Sequence, residues 1–247
     1  FHVASILPAG KISASESIQY SSADSVDIMV PGVGAHGASP HMGRDPVYIA
    51  SQIVTALQSI VSREIEPLSP AVITVGAFHS GTKHNIISDR ADLQLTVRAN
   101  DEDTRAQLLA AIERIAVNTG RAHGLPEEMP VQVAVSEGTP VTNNDPALAR
   151  RLNAALQRDL GNEVLIPWQQ RGMGAEDFAY FVAEEYGVPG YYFAVGGTPQ
   201  AAFDAAAAGG PPVPSHHSPL FKIAPRESVT LGTEAMVAAV LELAPAS

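Results

Sequence analysis

Apolar and polar side chains alternate along four segments of the chain, which is the period of a β-strand with one buried face. These segments are 25–31, 71–80, 91–99 and 131–137. A Gly-rich loop, GVGAHGASPH, follows the first of them. A polar stretch that contains Gly81 and Asn85 joins the second to the third, so we expect these two strands to pair antiparallel.

Two helices are predicted between these strands. After Pro46 the apolar residues recur at three- and four-residue steps, and Asp45 is placed as an N-cap before a proline at the first helical position. The second helix begins after the cap Asp101 and ends near Gly120 and Gly124.

The resulting order, β-α-β-β-α-β, is that of the split βαβ, or ferredoxin-like, module. We expect residues of about 22–137 to form it as a four-stranded antiparallel sheet with both helices on one face. The other face, or an edge of the sheet, would remain available to a partner.

Helix–strand alternation typical of an α/β domain follows Pro140. The predicted elements are a helix at 146–160, a strand in EVLIP, a helix in EDFAYFVAEE, a strand in GYYFAV and a helix at 227–243. With a fragment at 1–21, residues 138–247 predict a largely parallel α/β domain into which the module is inserted. Residues 201–215, AAFDAAAAGGPPVPS, predict a flexible loop.

Composition narrows the class of protein. The 247 residues are 45% apolar, enough to bury a core, and the net charge of -11 with only 15 Lys and Arg argues against a nucleic-acid surface. No apolar run approaches the roughly 20 residues that span a bilayer, so no membrane partner is expected and a cytoplasmic location is the default expectation. Because Phe1 opens directly into a strand-like segment, we expect the chain to begin within a domain.

Several polar groups could carry chemistry, although each also has a simpler interpretation. His216 and His217 precede Ser-Pro after the predicted loop, and imidazoles suit zinc, nickel, manganese or cobalt, but paired loop histidines are often only solvated. The carboxylates in MGAEDF could belong to a site or merely begin a helix. His36 projects from a Gly-rich loop, where it could equally be an ordinary exposed histidine.

Asn85 could supply an amide donor, and Arg98, near the end of a predicted strand, could bind a carboxylate through two hydrogen bonds. A strand arginine that faces solvent is the simpler interpretation of Arg98. The GxSxG elbow, the phosphate-binding GxxxxGK[ST] loop and the HExxH zinc helix are absent, which removes the main support for serine hydrolase, nucleotide-binding and zincin activities.

In order along the chain, FHVASILPAGKI, PGVGAHGASPHMGRDPV, GTKHNII, TVRA, MGAEDFAYF, FAVGG and HSPLF resemble segments of the aminoacylase and carboxypeptidase family of metal-dependent amidohydrolases. The resemblance is to the branch of hippurate hydrolase, N-acyl-amino-acid deacylases and auxin-conjugate hydrolases. It implies the C-terminal part of a zinc-peptidase-like α/β catalytic domain, with the inserted module acting as a lid and dimerisation domain.

The resemblance also implies site residues. His2 and His217 would bind metal, and His36 would polarise the scissile carbonyl, often across a dimer interface. The substrate-binding residues would be Asn85, Arg98, Glu176 and Gly196. The family's other metal ligands and its general base would lie upstream of Phe1, so we expect this chain by itself to be inactive.

The implied reaction is hydrolysis of N-acyl amino acids by the full-length protein, with two divalent metal ions (Zn, Mn, Co or Ni) per site and a homodimer formed through the lid. Two alternatives remain open. One is a non-catalytic dimerisation or binding module, because the split βαβ unit has an open edge. The other is a dipeptidase of the same superfamily, although peptidase branches usually carry an acidic residue beside the His2 position.

Overall fold

The computed structural model describes residues 1–244, and the chain divides into two compact units. The inserted unit consists of Tyr20–Thr142 and Gly172–Tyr180. The terminal unit consists of Phe1–Gln19, Asn143–Arg171 and the residues from Phe181 onward. The three-part domain division drawn from the sequence stays a prediction.

The strands are β1 (His2–Pro8), β2 (Ile12–Ser13), β3 (Ile18–Tyr20), β4 (Ala23–Pro31), β5 (Ala35–His36), β6 (Ala71–Ser80), β7 (Ile86–Ile87), β8 (Arg90–Ala99), β9 (Gln132–Thr139), β10 (Thr142–Asn143), β11 (Leu165–Ile166) and β12 (Ala194–Thr198). The helices are α1 (Pro46–Ser59), α2 (Glu102–Ala122), α3 (Pro146–Leu160), α4 (Gln200–Ala207) and α5 (Pro225–Leu243).

The inserted unit contains a four-stranded sheet in the order β6-β8-β4-β9, and all three pairings are antiparallel. With α1 after β4 and α2 after β8, this is the ferredoxin-like module that the hydrophobic periodicity predicts. The expected pairing of β6 with β8 is confirmed.

One face of this sheet is apolar because alternate residues of its strands point the same way. On β4 these residues are Val26, Ile28 and Val30, which share one core with residues of α1 and α2 such as Leu57 and Ile112. Both helices therefore cover the same face of the sheet, as predicted.

The predicted N-caps are confirmed. The Asp45 side chain accepts hydrogen bonds from the backbone amides at the start of α1, and Asp101 accepts one from the Thr104 amide of α2. A buried ion pair adds to this unit: Arg105 binds both carboxylate oxygens of Asp24, at 2.7 and 2.9 Å, and the Asp24 side chain is fully buried. This contact raises the pKa of Arg105.

The terminal unit contains a second sheet in the order β1-β12-β2-β11. Two pairings are parallel, β1 with β12 and β2 with β11, and β12 pairs with β2 antiparallel. Helices α3 and α5 pack on this sheet through Leu156 and Leu231, which share a core with Ile12, Phe193 and Val195.

Three predictions for the terminal part of the sequence are wrong in detail. EDFAYFVAEE forms two short 3₁₀ helices, Asp177–Phe181 and Glu184–Tyr186, instead of one α-helix; Tyr180 and Phe181 are exposed, so no apolar stripe packs a longer helix. Residues 200–207 form α4 instead of a loop, because alanine has the highest helix propensity. The strand predicted in GYYFAV begins only at Ala194.

Among residues 1–244, no helix is both long enough and apolar enough to cross a membrane.

Candidate functional site

Imidazole rings meet in the terminal unit at the beginning of β1. The His2 and His216 rings lie edge to face, with 5.5 Å between their centroids and 81° between their planes. The His216 ring also lies edge to face with the ring of Phe221, with ring centroids 6.2 Å apart. The sequence resemblance points to His2 and His217, whereas the structure brings His216 against His2.

Two features of the backbone concern the positions of His2 and His217. His2 pairs with Ala194 across the parallel strands β1 and β12. His217 has φ = 60°, the only non-glycine residue among residues 1–244 recorded with a positive φ. Such a conformation costs on the order of 1–3 kcal/mol, and backbone outliers of this kind cluster at functional sites.

The electrostatics of the cluster favour the neutral form of the His216 imidazole. Partial burial lowers the pKa of His216, and the nearby His2 and His217 lower it further because their positive charges repel a third. Histidine binds metal ions through a neutral ring nitrogen.

Imidazole is a common ligand of divalent metal ions, and it binds them through a ring nitrogen. Within residues 1–244, however, no group of three or more His, Cys, Asp or Glu side chains is arranged to hold a metal. The described residues therefore bring imidazoles together without a complete set of metal ligands.

Gly196, predicted to bind substrate, is buried within β12. A Cβ there would lie 1.7 Å from the Pro8 carbonyl oxygen, so only glycine allows this approach of the two backbones. Its amide donates to the Lys11 carbonyl and its own carbonyl accepts from the Ser228 hydroxyl, each at 2.8 Å. These contacts give Gly196 a role in sheet packing, and its contact with substrate stays a prediction.

The predicted lid residues His36 and Asn85 lie together in the inserted unit. Strand β5 pairs with β7, with His36 opposite Ile86, and the Gly37 amide donates to the Asn85 carbonyl at 2.7 Å. The His36 Nδ1 atom accepts a hydrogen bond from the Ala38 amide at 3.1 Å, and the His36 ring is exposed. We call this pair of strands with its turns the His36 ribbon.

A cavity of about 560 Å³ opens beside the His36 ribbon. Its lining includes Gly37, Thr82, Lys83, His84 and Ile86. Hydroxyl, ammonium and imidazole groups therefore line the cavity next to the predicted catalytic histidine, together with the carboxylate of Asp45, which caps α1.

Arg98, by contrast, lies near the far end of β8 from the His36 ribbon. It pairs with Val72 on β6, and its Nε donates to the Thr96 hydroxyl at 3.0 Å. Arg98 lies eight positions along β8 from Arg90, the residue at which this strand begins after β7. At roughly 3.3 Å per residue, the two positions are about 26 Å apart along the strand. The structure therefore does not bring Asn85 and Arg98 to one place.

Glu176 lies in the other segment of the inserted unit, where its carbonyl accepts from the Thr142 hydroxyl at 3.3 Å. Hydrogen bonding to Glu176, followed by the repulsion between the two negative charges, raises the pKa of Asp177. Adjacent carboxylates that share a proton in this way are suited to proton transfer or to supporting a ligand.

Arg98 and Glu176 lie at the same end of the inserted unit. The Ser21 amide donates to the Gly174 carbonyl at 2.9 Å, and the next amide, that of Ser22, donates to the Ala99 carbonyl at 2.8 Å. Ser21 and Ser22 therefore hydrogen-bond to the segment that carries Glu176 and to the end of β8 that carries Arg98.

The sequence interpretation missed the contact of His216 with His2. The only sequence signal for it is the presence of two adjacent histidines before Ser-Pro, and the motif match assigns the second of them. Which of the two rings faces His2 depends on the turn between Ser215 and Phe221, which local sequence does not specify.

Residues 21–123 match the family model described as the M20 peptidase dimerisation domain. The chain is 37% identical over 162 residues to the hippurate hydrolase of Campylobacter jejuni, a match that covers 65% of this chain and 41% of the relative. It is 32% identical over 195 residues to thermostable carboxypeptidase 2 of Saccharolobus solfataricus, covering 79% of this chain and 47% of the relative.

A solved structure has the same fold. It is the YXEP protein of Bacillus subtilis, described as a dinuclear metal-binding peptidase of the M20 family, with a TM-score of 0.67, 22% identity and coverage of 98% of this chain and 56% of that one. The fold is therefore the α/β fold of this peptidase family. The chain spans about half the length of the curated relatives it matches.

Proposed function

We propose that the full-length protein is a metal-dependent hydrolase of the amide bond of N-acyl amino acids, hippurate-like or N-acetylated, because residues 21–123 match the M20 peptidase dimerisation domain and the chain is similar to a hippurate hydrolase. The observation that carries the proposal is that His2 lies beside the adjacent residues His216 and His217: the His216 ring contacts the His2 ring, and His217 has the unusual backbone angle φ = 60°. A cytoplasmic location remains the expectation drawn from the sequence.

We assign His2 and His217 as ligands of a centre that binds two divalent ions, zinc, manganese, cobalt or nickel. When bound, such ions polarise the amide carbonyl and make water a nucleophile near neutral pH. Two metals are supported by the dinuclear description of the YXEP protein.

The polar groups of the inserted unit would bind and orient the substrate. His36 would donate a hydrogen bond to the oxygen of the scissile carbonyl as negative charge develops there, with the Asn85 amide beside it. Arg98 keeps guanidinium N–H donors in addition to the Nε that bonds Thr96, and these would bind the substrate carboxylate. Glu176 would support a bound ligand, and Gly196 would bring backbone close to the substrate.

The length of β8 suggests that His36 and Arg98 of one chain serve different substrate sites. An N-acyl amino acid is shorter than the roughly 26 Å of strand between the two ends, so one substrate molecule does not reach both His36 and Arg98 of one chain. We propose a homodimer in which the His36 ribbon serves the site of the partner subunit. The dimerisation-domain match over residues 21–123 supports this assembly.

The activity is tested with the full-length protein, assayed on hippurate and N-acetyl amino acids after loading with Zn²⁺, Mn²⁺, Co²⁺ or Ni²⁺. We expect turnover that a metal-stripped sample lacks. Turnover no greater than that of the stripped control, with every metal, would overturn the proposal.

A matched pair of variants tests the ligand assignment. In the full-length protein we expect His217→Ala to lose bound metal, measured by elemental analysis. Its metal affinity should fall by more than the roughly 10- to 100-fold that is lost when a residue hydrogen-bonded to a metal ligand is replaced. His216→Ala should keep its metal stoichiometry. Equal metal loss in both variants would contradict the assignment of His217.

Peptide hydrolysis is the alternative activity, favoured by the similarity to the Saccharolobus carboxypeptidase. It is decided by comparing kcat/KM for a dipeptide and for the N-acyl amino acid of the same C-terminal residue. We expect the N-acyl compound to be preferred, and a preference for the dipeptide would reverse the ranking.

A non-catalytic dimerisation module is the other alternative, supported by the family match of residues 21–123. Sedimentation of the chain tests dimer formation directly. If only monomer were found at high micromolar concentration, both this alternative and the proposed use of the His36 ribbon across a dimer would be weakened.

A further inference from the structure

The His36 ribbon fixes more than the position of an imidazole. Its two short strands place His36 opposite Ile86, and the backbone then turns immediately, with the Ser39 amide donating to the His36 carbonyl at 2.8 Å. This turn brings the amide of Ala38 back to the ring of His36, where it meets Nδ1 at 3.1 Å.

A backbone amide is always a hydrogen-bond donor, so Nδ1 is the acceptor in this contact. A neutral imidazole carries one proton, and a nitrogen that accepts a hydrogen bond does not carry it. The proton of the neutral His36 ring is therefore on Nε2, at the edge of the ring that points away from its own backbone.

Gly37 makes this arrangement possible. A Cβ at this position would lie 3.0 Å from both the carbonyl carbon and the carbonyl oxygen of Asn85, closer than most side chains tolerate. The absence of a side chain lets the Gly37 amide reach the Asn85 carbonyl at 2.7 Å, which holds the turn beside β7.

We infer that the backbone amide of Ala38 is a positioning group that holds neutral His36 as the Nε2–H tautomer, so that His36 presents a hydrogen-bond donor through Nε2. The catalytic consequence rests on the proposed function: the donor for the developing oxyanion is Nε2–H, and a side chain that keeps an N–H at that place keeps part of the activity. The tautomer itself is a property of the ribbon and does not depend on any reaction.

The tautomer is measured by ¹⁵N-resolved NMR of the imidazole nitrogens in the 247-residue chain, at about pH 8.5, well above the ordinary histidine pKa of about 6.5. The His36 signals are assigned by their disappearance in His36→Gln. We expect a protonated Nε2 and an unprotonated Nδ1. A ring protonated on Nδ1 would overturn the inference.

The role of Ala38 is tested by Ala38→Pro, which removes the amide hydrogen, with Ala38→Ser as the control that keeps it. Residue 38 is exposed and does not have a positive φ, so a proline is compatible with the sign of its backbone angle. We expect a tautomer mixture for Pro and a wild-type spectrum for Ser. An unchanged tautomer in a folded Ala38→Pro variant would show that Ala38 does not set it.

The catalytic consequence is tested in the full-length protein by two amide substitutions. The side-chain nitrogen of glutamine reaches the place of Nε2, whereas that of asparagine reaches only that of Nδ1. We expect His36→Asn to lose about 10²–10³-fold in kcat, the usual cost of an oxyanion donor, and His36→Gln to stay at least about tenfold more active than His36→Asn.

Equal losses in these two variants would contradict donation through Nε2. A wild-type enzyme without amidohydrolase turnover would overturn the proposed function but leave the tautomer to be decided by NMR, so the two failures are distinguishable.

Discussion

The two units of this chain bury their apolar residues in different ways. Of the described residues, 21 buried side chains of the inserted unit form one core, whereas those of the terminal unit form clusters of 8 and 3. On α5 of the terminal unit, Val229, Val237, Val240 and Leu241 are each more than half exposed.

The two units therefore differ in the contacts that contribute to their stability. In the inserted unit, two helices cover one face of a complete four-stranded sheet, and the packing between them contributes to its stability. In the terminal unit, polar contacts near the surface join α3 to α5, such as those that Arg151 and Arg158 make with Glu242. Four predictions test this contrast.

The largest effect on stability is expected at the buried ion pair of the inserted unit. Asp24→Ala leaves the Arg105 guanidinium, 18% exposed, with only the exposed Glu102 carboxylate as an ionic partner, and we expect a loss of about 3–5 kcal/mol in the free energy of unfolding, measured by urea titration. Asp92→Ala, which breaks the exposed pair with Arg90 in the same sheet, is the control and should change little. A small effect of Asp24→Ala would mean that water replaces its carboxylate.

The same side-chain truncation can be made in both cores. Leu57 in α1 and Leu156 in α3 are fully buried, and Leu→Ala at such positions costs about 2–5 kcal/mol. We expect Leu57→Ala to approach the upper limit because the larger core collapses less around a cavity. Leu156→Ala should be nearer the lower limit, and a greater loss there than at Leu57 would contradict the contrast.

Helix caps give a smaller comparison. The Asp101 side chain accepts from both the amide and the hydroxyl of Thr104, whereas Asp145 accepts from the Leu148 amide. Replacement by alanine should cost about 1 kcal/mol at Asp145 and somewhat more at Asp101. Urea titrations at constant pH measure both, and a greater cost at Asp145 would show that the hydroxyl contact adds nothing.

The smallest effect depends on pH and belongs to the terminal unit. Hydrogen bonds from Arg151 and Arg158 lower the pKa of Glu242 below its ordinary value of 4.5. Because the folded-state pKa is the lower one, the stabilisation is present above the unfolded-state value and is lost as the pH falls through the lowered pKa. Thermal melts should show that Glu242→Gln lowers Tm at pH 7 and that the difference from wild type shrinks in acid. A difference that did not change with pH would exclude the ionised carboxylate as its source.

Local patterns along the sequence predicted much of the inserted unit. The apolar periodicity at Val26, Ile28 and Val30 and the caps at Asp45 and Asp101 depend on neighbours a few residues away, so they can be recognised without knowing the fold. The same method missed α4, where an alanine-rich composition was interpreted as a loop although alanine favours helix.

For the candidate site, too, the sequence predicted some features and missed others. Ordered motifs singled out His2, His36 and His217, but not the contact of His216 with His2 or the separation of Arg98 from Asn85. The first depends on the turn between β12 and α5, and the second on how far β8 extends once it is paired on both sides. Neither distance is encoded in a spacing between neighbouring residues.

The sequence by itself determined the order β-α-β-β-α-β, the helix caps and the chemical character of the site, because periodicity, capping and side-chain type are local properties of the chain. Only the tertiary structure decided that the His2 and His216 rings are in contact and that Asn85 and Arg98 lie at opposite ends of one sheet. It also decided which nitrogen of His36 accepts the hydrogen bond from the Ala38 amide. Those outcomes depend on strand pairing and on turns that bring distant or differently oriented groups within a few ångströms of one another.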